Sequence, residues 1–128
     1  MARLCIFGCQ NFQLEMQASL AAEAWPDVVS LAFPARCGRP PVQWQDLRGL
    51  LPADCSEVIV LGRACLAGLG DPPADFPLTR VLIQEQCFHL LAGATLVNEV
   101  MSGGGYLMSP AWLQGWRENV EDLGFTSD

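Results

Sequence analysis

Cysteines follow the predicted β-strands of this chain at regular intervals. The sequence has 128 residues and six cysteines. Four of them come at or just after the ends of successive predicted strands: Cys9, Cys37, Cys65 and Cys87. In a parallel sheet the carboxyl ends of the strands lie on one edge, and ligands bind in the crevice outside that edge. The pattern therefore predicts that the four thiols converge there.

Four thiolates in one site suit a zinc ion or an iron–sulfur cluster. We predict that these four cysteines are metal ligands and that the cofactor is either a 4Fe–4S cluster or zinc. Ligands on separate loops do not distinguish the two, and no catalytic residue is assigned. The alternative interpretation is that the cysteines pack as small buried hydrophobes. Of the remaining two, Cys5 is interpreted as a core residue and Cys55 as a loop or helix-cap residue.

Positive charge gathers beside two of the predicted ligands. The arginines concerned are Arg36, Arg39 and Arg63. Neighbouring cations stabilise a thiolate, so we predict that Arg63 contacts the cofactor. Tyr106 is predicted to contact it as well, through stacking of its ring on the bound group. His89, the one histidine, is interpreted as a packed side chain, with a fifth ligand or proton carrier as the alternative.

The composition excludes several classes of function. The chain has 7 basic and 14 acidic residues, a net charge of −7 and a charged fraction of 16%. A net negative surface repels phosphate backbones, so nucleic-acid binding is not expected. All seven basic residues are arginine, which rules out a P-loop lysine and a Schiff-base lysine. A single histidine rules out a multi-histidine zinc site.

Strand-like and helix-like segments alternate along the sequence. This alternation predicts an α/β fold with three layers and a mainly parallel sheet of four or five strands, in a flavodoxin-like or Rossmann-like order. The predicted strands are Arg3–Cys9, Val28–Phe33, Glu57–Gly62, Arg80–Glu85 and a short fifth one at Tyr106–Met108. The predicted helices are Phe12–Trp25, Val42–Leu51, Phe88–Val100, which is broken and contains Gly93, and Pro110–Leu123.

The chain is predicted to form one domain over residues 1–128, either alone or as the N-terminal domain of a longer protein. Its apolar runs are far shorter than the roughly 20 residues of a membrane span, and Met1 is not followed by a signal peptide. We therefore expect a cytoplasmic protein that does not interact with membranes. In that reducing compartment structural disulfides are not expected.

Four segments of the chain together resemble a known family. They are CQNFQLEM after the first strand, GRACLAGLG after the third, QEQCFHLLAG after the fourth, and GGGYLMSPAWLQGW near the end. The family that they resemble is domain of unknown function 1638. The resemblance maps onto Cys9, Cys65, Cys87 and Gly105–Leu113, and GYLMSPAWL is its most specific part. Where the family tends to carry histidine after the second strand, this chain has Cys37.

Members of that family occur alone in anaerobic bacteria and archaea or ahead of sensory and signalling domains. They are often encoded near corrinoid methyltransferases. The family has no assigned chemistry. The resemblance implies the α/β fold and the set of three cysteines that it covers, and it is consistent with a sensory or cofactor-handling role.

Three functional hypotheses follow. The first is a module that binds a metal ion or iron–sulfur cluster through cysteines and serves as a sensory or cofactor-handling domain. The second is a transferase-type enzyme with a nucleophilic cysteine, activated by Arg63 or a helix N-terminus. The third is a metal-free domain that binds a small ligand, such as a corrinoid or an anion. Expected partners are a small ligand or metal, with a homodimer or fused signalling domains as further candidates.

Overall fold

The sheet determines where every candidate residue lies. A computed structural model describes residues 3–36, 39–84, 87–90, 92–105 and 107–122. Its four strands are all parallel and lie in the order β2-β1-β3-β4. Their bounds are β1 (Arg3–Cys9), β2 (Val28–Phe33), β3 (Cys55–Gly62) and β4 (Leu78–Ile83). The α/β prediction is confirmed, and this order is the flavodoxin-like one, because a Rossmann sheet would run 3-2-1-4.

Short helices and 3₁₀ turns connect the strands. The helices are α1 (Gln13–Glu23), α2 (Trp44–Arg48), α3 (Ala94–Ser102), α4 (Pro110–Gln114) and α5 (Trp116–Asp122). Three 3₁₀ turns cover Gln10–Phe12, Ala64–Leu66 and Cys87–Leu90. Along the ranges that the structure describes, no helix has the length and apolar character needed to cross a membrane.

The predicted fifth strand is wrong for the two of its residues that the structure describes. Leu107 and Met108 have no regular secondary structure, and Tyr106 lies outside the described residues. The next residue, Ser109, is the N-cap of α4, and Pro110 follows at its start. A Ser–Pro pair is a strong helix start, so the short apolar run leads into a helix instead of pairing with the sheet.

One face of the sheet carries the core. Alternate strand residues meet there, including Phe7, Val60 and Phe33, none of which is exposed to solvent. The segment around α2 and the segment after β3 cover this face with Val42, Leu47, Leu66 and Leu69. Each buried side chain of this size contributes about 1.5–3 kcal/mol. We call this side of the sheet the core face.

Helix α1 covers part of the opposite face. The Gln13 side-chain amide donates to the Ser30 carbonyl at 3.0 Å and accepts from the Ser30 hydroxyl at 3.0 Å, which fixes the start of α1 over β2. All eleven residues of α1 are described, and none is fully buried. The sheet supports one side of α1, while Leu14 on another side is 37% exposed.

A disulfide joins Cys5 of β1 to Cys55 of β3. Their Cα atoms are 6.0 Å apart, and both residues are buried. The expectation of no disulfide is therefore wrong, and so is the placement of Cys55 in a loop. That expectation rested on the compartment, whereas neighbouring strands in this register bring the two Cβ atoms within reach of each other. The core position predicted for Cys5 is confirmed.

Candidate functional site

The strand order places a crevice between β1 and β3. From β1 the chain crosses to β2 on one side, and from β3 it crosses to β4 on the other. The loops after β1 and β3 therefore diverge at the carboxyl edge of the sheet, and this switch point is where open α/β sheets bind ligands. Cys9 ends β1, and Cys65 lies three residues after the end of β3. Both belong to the candidate site, and Cys9 packs against the core cluster that contains Cys65.

Cys9 is the N-cap of the 3₁₀ turn that leads into α1. Its backbone is extended, and its Sγ accepts a hydrogen bond from the Asn11 N–H at 3.5 Å. The residue is half-buried. A hydrogen-bond donor at the start of a helical segment favours the thiolate form of a cysteine. Cys9 therefore combines partial exposure with a hydrogen-bond donor to its sulfur.

Cys65 lies beneath the end of β3 in the 3₁₀ turn Ala64–Leu66. It is 4% exposed, and its carbonyl accepts a hydrogen bond from the Val42 N–H at 2.8 Å. A Cβ atom added at Gly62 would lie 2.9 Å from the Cys65 Sγ and 2.8 Å from the Leu66 side chain. Glycine at the strand end therefore allows the turn to fold back onto the core face.

Cys87 lies beside the segment that follows β1. It begins the third 3₁₀ turn and is half-buried. The neighbouring Phe88 ring meets the Phe12 ring edge to face, with centroids 5.2 Å apart. Such aromatic pairs stabilise by about 0.5–1.5 kcal/mol beyond their burial. The contact holds the segment after β4 near the segment after β1.

The C-terminal motif is anchored at the same place. The Ser109 hydroxyl donates to the Asn11 carbonyl and accepts from the Trp112 N–H at 3.1 Å. Ser109 is 1% exposed, so the hydroxyl is a buried and satisfied link between α4 and the turn after Cys9. Sequence reasoning did not single out Ser109, although a serine before proline at a helix start is a recognisable N-cap signal.

Arginine brings an unsatisfied donor to this edge. Arg36 lies three residues after β2 ends at Phe33, and Phe33 is paired with Cys9 in the sheet. The Nε atom of Arg36 is buried and has no hydrogen-bond partner among the described residues. An unsatisfied buried donor is costly, so this atom marks a position where an acceptor is expected. Arg63, the predicted cofactor contact, directly follows β3 and is exposed.

Glu15 is a second polar group that sequence reasoning missed. It lies in the first turn of α1. Both of its carboxylate oxygens are buried, and neither has a hydrogen-bond partner in the part of the chain that the structure describes. The sequence offered no signal for this, because an acidic residue in the first helical turn is ordinarily explained by the helix dipole.

The predicted metal centre is wrong. Within the described ranges no group of three or more His, Cys, Asp or Glu side chains could hold a metal ion. The cofactor prediction of a 4Fe–4S cluster or zinc, and the metal-binding module built on it, are withdrawn. The strand ends bring Cys9 and Cys65 to one edge of the sheet, but the turns that follow place the two side chains in different surroundings. Cys65 packs in the core, and Cys9 caps a turn. Cys37 and Tyr106 lie outside the described residues, so their individual roles stay predictions.

Comparisons with known proteins add no assignment. Searches against family models, curated proteins and solved structures find no match for this chain.

Proposed function

We propose that the carboxyl edge of the sheet binds a small anion without a metal ion. The observation that carries this proposal is the buried Arg36 Nε, which has no acceptor among the described residues. An anion in the crevice supplies that acceptor through a charge-assisted hydrogen bond. The chain carries a net charge of −7. Local hydrogen-bond donors would therefore bind the anion against the electrostatic repulsion of the whole chain.

The surroundings of Arg36 support the same proposal. The edge lies at the switch point of the sheet, the place where this strand order leaves room for a ligand. The half-buried Cys9 ends β1 at that edge, and the buried Cys65 lies in the core below it. Arg63 adds a second positive charge directly after β3.

Isothermal titration tests the proposal with three probes: inorganic phosphate, acetate and the corrinoid cyanocobalamin. We expect an anion to bind, and Arg36→Gln to weaken binding by about tenfold or more, which is the loss of one charge-assisted hydrogen bond. Arg117→Gln is the matched control, because Arg117 is exposed and stacks over Trp116. Binding that Arg36→Gln leaves unchanged, or no binding of any probe, would refute the anion site.

A second candidate function is cysteine-dependent group transfer, and one contact favours it. The Asn11 N–H donates to the Cys9 Sγ, which stabilises the thiolate that would attack an electrophilic centre of the bound anion. The thiolate supplies the electron pair of the new bond, and the leaving group departs with the pair of the broken bond. Selective alkylation of Cys9 tests this candidate.

The resemblance to domain of unknown function 1638 remains part of the proposal, together with a cytoplasmic location. Both are consistent with a small-ligand domain that works alone or beside a signalling domain.

A further inference from the structure

Half of the sheet face opposite the core carries exposed apolar side chains. The register Glu57↔Leu78 and Ile59↔Arg80 places alternate residues of β3 and β4 on that face. Leu78 is 65% exposed and Leu82 is 46% exposed. We call the surface formed by Glu57, Ile59, Leu61, Leu78, Arg80 and Leu82 the β3–β4 face. The other half of this side of the sheet is covered by α1, which is held to β2 by the Gln13–Ser30 contacts.

The charged fraction of the chain is low for a fully solvated protein. Only 16% of the residues are charged, against about 25% in typical soluble domains.

Charges on the β3–β4 face are self-complementary. Glu57 on β3 and Arg80 on β4 border a shallow depression that Ile59 and Leu78 also line. Among the described residues neither Glu57 nor Arg80 takes part in an ion pair. A two-fold interface requires one patch to match itself, with an acid and a base on opposite sides of the axis. This face meets that requirement.

We propose that a second copy of this chain covers the β3–β4 face. The two sheets stack face to face around a two-fold axis that crosses the strands between the Glu57–Leu78 row and the Ile59–Arg80 row. In that arrangement Arg80 lies over the partner's Leu78 and reaches the partner's Glu57. The two ion pairs then flank the axis, and the exposed leucines of both copies pack around them and exclude water.

Sedimentation equilibrium over a wide range of concentration tests the proposal on the whole chain. We expect a dimer of twice 13.9 kDa for the parent protein. Arg80→Glu and Glu57→Arg each place two like charges in contact and should raise the dimer dissociation constant by about tenfold or more. The double exchange Glu57→Arg/Arg80→Glu restores opposite charges across the axis. It should return the constant to within a few-fold of the parent value.

Leu82→Glu and Leu96→Glu form the control pair. Both leucines are exposed, at 46% and 57%, but Leu96 lies on α3 and is not one of the residues that form the β3–β4 face. Leu82→Glu should dissociate the dimer, and Leu96→Glu should not. Circular dichroism establishes that each variant is folded. A parent protein that is monomeric at all concentrations refutes the proposal. A dimer that the single variants Arg80→Glu and Glu57→Arg both leave intact also refutes it, since that result indicates a different surface, such as pairing through the edge of β4.

Discussion

The Ser109 hydroxyl is hydrogen-bonded to the backbone carbonyl of Asn11, a residue 98 positions earlier in the chain. Asn11 also donates its N–H to the Cys9 Sγ. One residue therefore connects the thiol at the end of β1 with the start of α4. The position of Cys9 depends on a segment from the far end of the described chain, as well as on β1 itself.

Removing the Ser109 hydroxyl should lower the free energy of unfolding by about 1–3 kcal/mol. Ser109→Ala leaves the Asn11 carbonyl and the Trp112 N–H without their buried partner, and an unsatisfied buried group costs about that much. Urea unfolding measures the change. Ser56→Ala is the control, because the exposed Ser56 hydroxyl bonds the Arg3 carbonyl at 3.3 Å and its loss should change the free energy by less than about 0.5 kcal/mol. Equal losses in the free energy of unfolding for the two variants would show that the buried Ser109 hydroxyl stabilises the fold no more than the exposed Ser56 hydroxyl does.

Gly62→Ala should destabilise the fold by about 1–3 kcal/mol through overpacking. The added Cβ would meet the Leu66 side chain at 2.8 Å and the Cys65 Sγ at 2.9 Å. Gly8→Ala provides the comparison, because Gly8 lies in β1 and its added Cβ would meet nothing within 4 Å. Thermal unfolding should therefore show a lower melting temperature for Gly62→Ala only. The packing of Cys65 against Gly62 is incorrect if both variants melt like the parent.

Loss of the Cys5–Cys55 disulfide should lower the free energy of unfolding by about 4 kcal/mol. The bond closes a loop of 50 residues, and loop-closure entropy predicts a contribution of that size. The variant Cys5→Ala/Cys55→Ala and the parent protein in reductant should both unfold at lower urea concentration than the oxidised parent. Added reductant should not change the double variant further. If reductant destabilises that variant as much as the parent, a different disulfide carries the effect.

Alkylation should modify Cys9 before the other cysteines that the structure describes outside the disulfide. Iodoacetamide labelling, followed by mass spectrometry between about pH 6 and pH 9, measures the rates. Cys65 is 4% exposed and should react slowest. Cys87 is half-buried like Cys9 and is the informative comparison, because the Asn11 N–H donor stabilises the thiolate of Cys9. Faster labelling of Cys87 than of Cys9 at the lower end of the pH range would contradict the nucleophile assignment.

The sequence predicted the sheet well because strand formation depends on local apolar runs. The bounds of β1 and β2 agree with prediction, but β3 begins two residues earlier, at Cys55, and β4 lies two residues earlier than Arg80–Glu85. The ends of β3 and β4 are set by pairing, since β4 begins where Leu78 pairs with Glu57. Register between strands is a property of two segments and cannot be read from one of them.

The sequence predicted where the candidate site lies but not which side chains form it. Alternation of strands and helices was sufficient to bring Cys9 and Cys65 to one edge. It did not determine the direction of the two side chains, which depends on the turns that follow each strand. The Ser109 link depends on how α4 meets the turn after β1, and no local sequence pattern predicts a contact between segments so far apart in the chain.

The disulfide lies at the amino ends of β1 and β3, while Cys9 and Cys65 lie at or beyond their carboxyl ends. Strands that are covalently joined at one end separate from the other end. Local opening of this pair therefore begins at the ligand edge, and the amide protons of β1 should exchange with solvent faster toward Cys9 than toward Cys5. A ligand that needs a wider crevice can enter by this motion without unfolding the rest of the sheet.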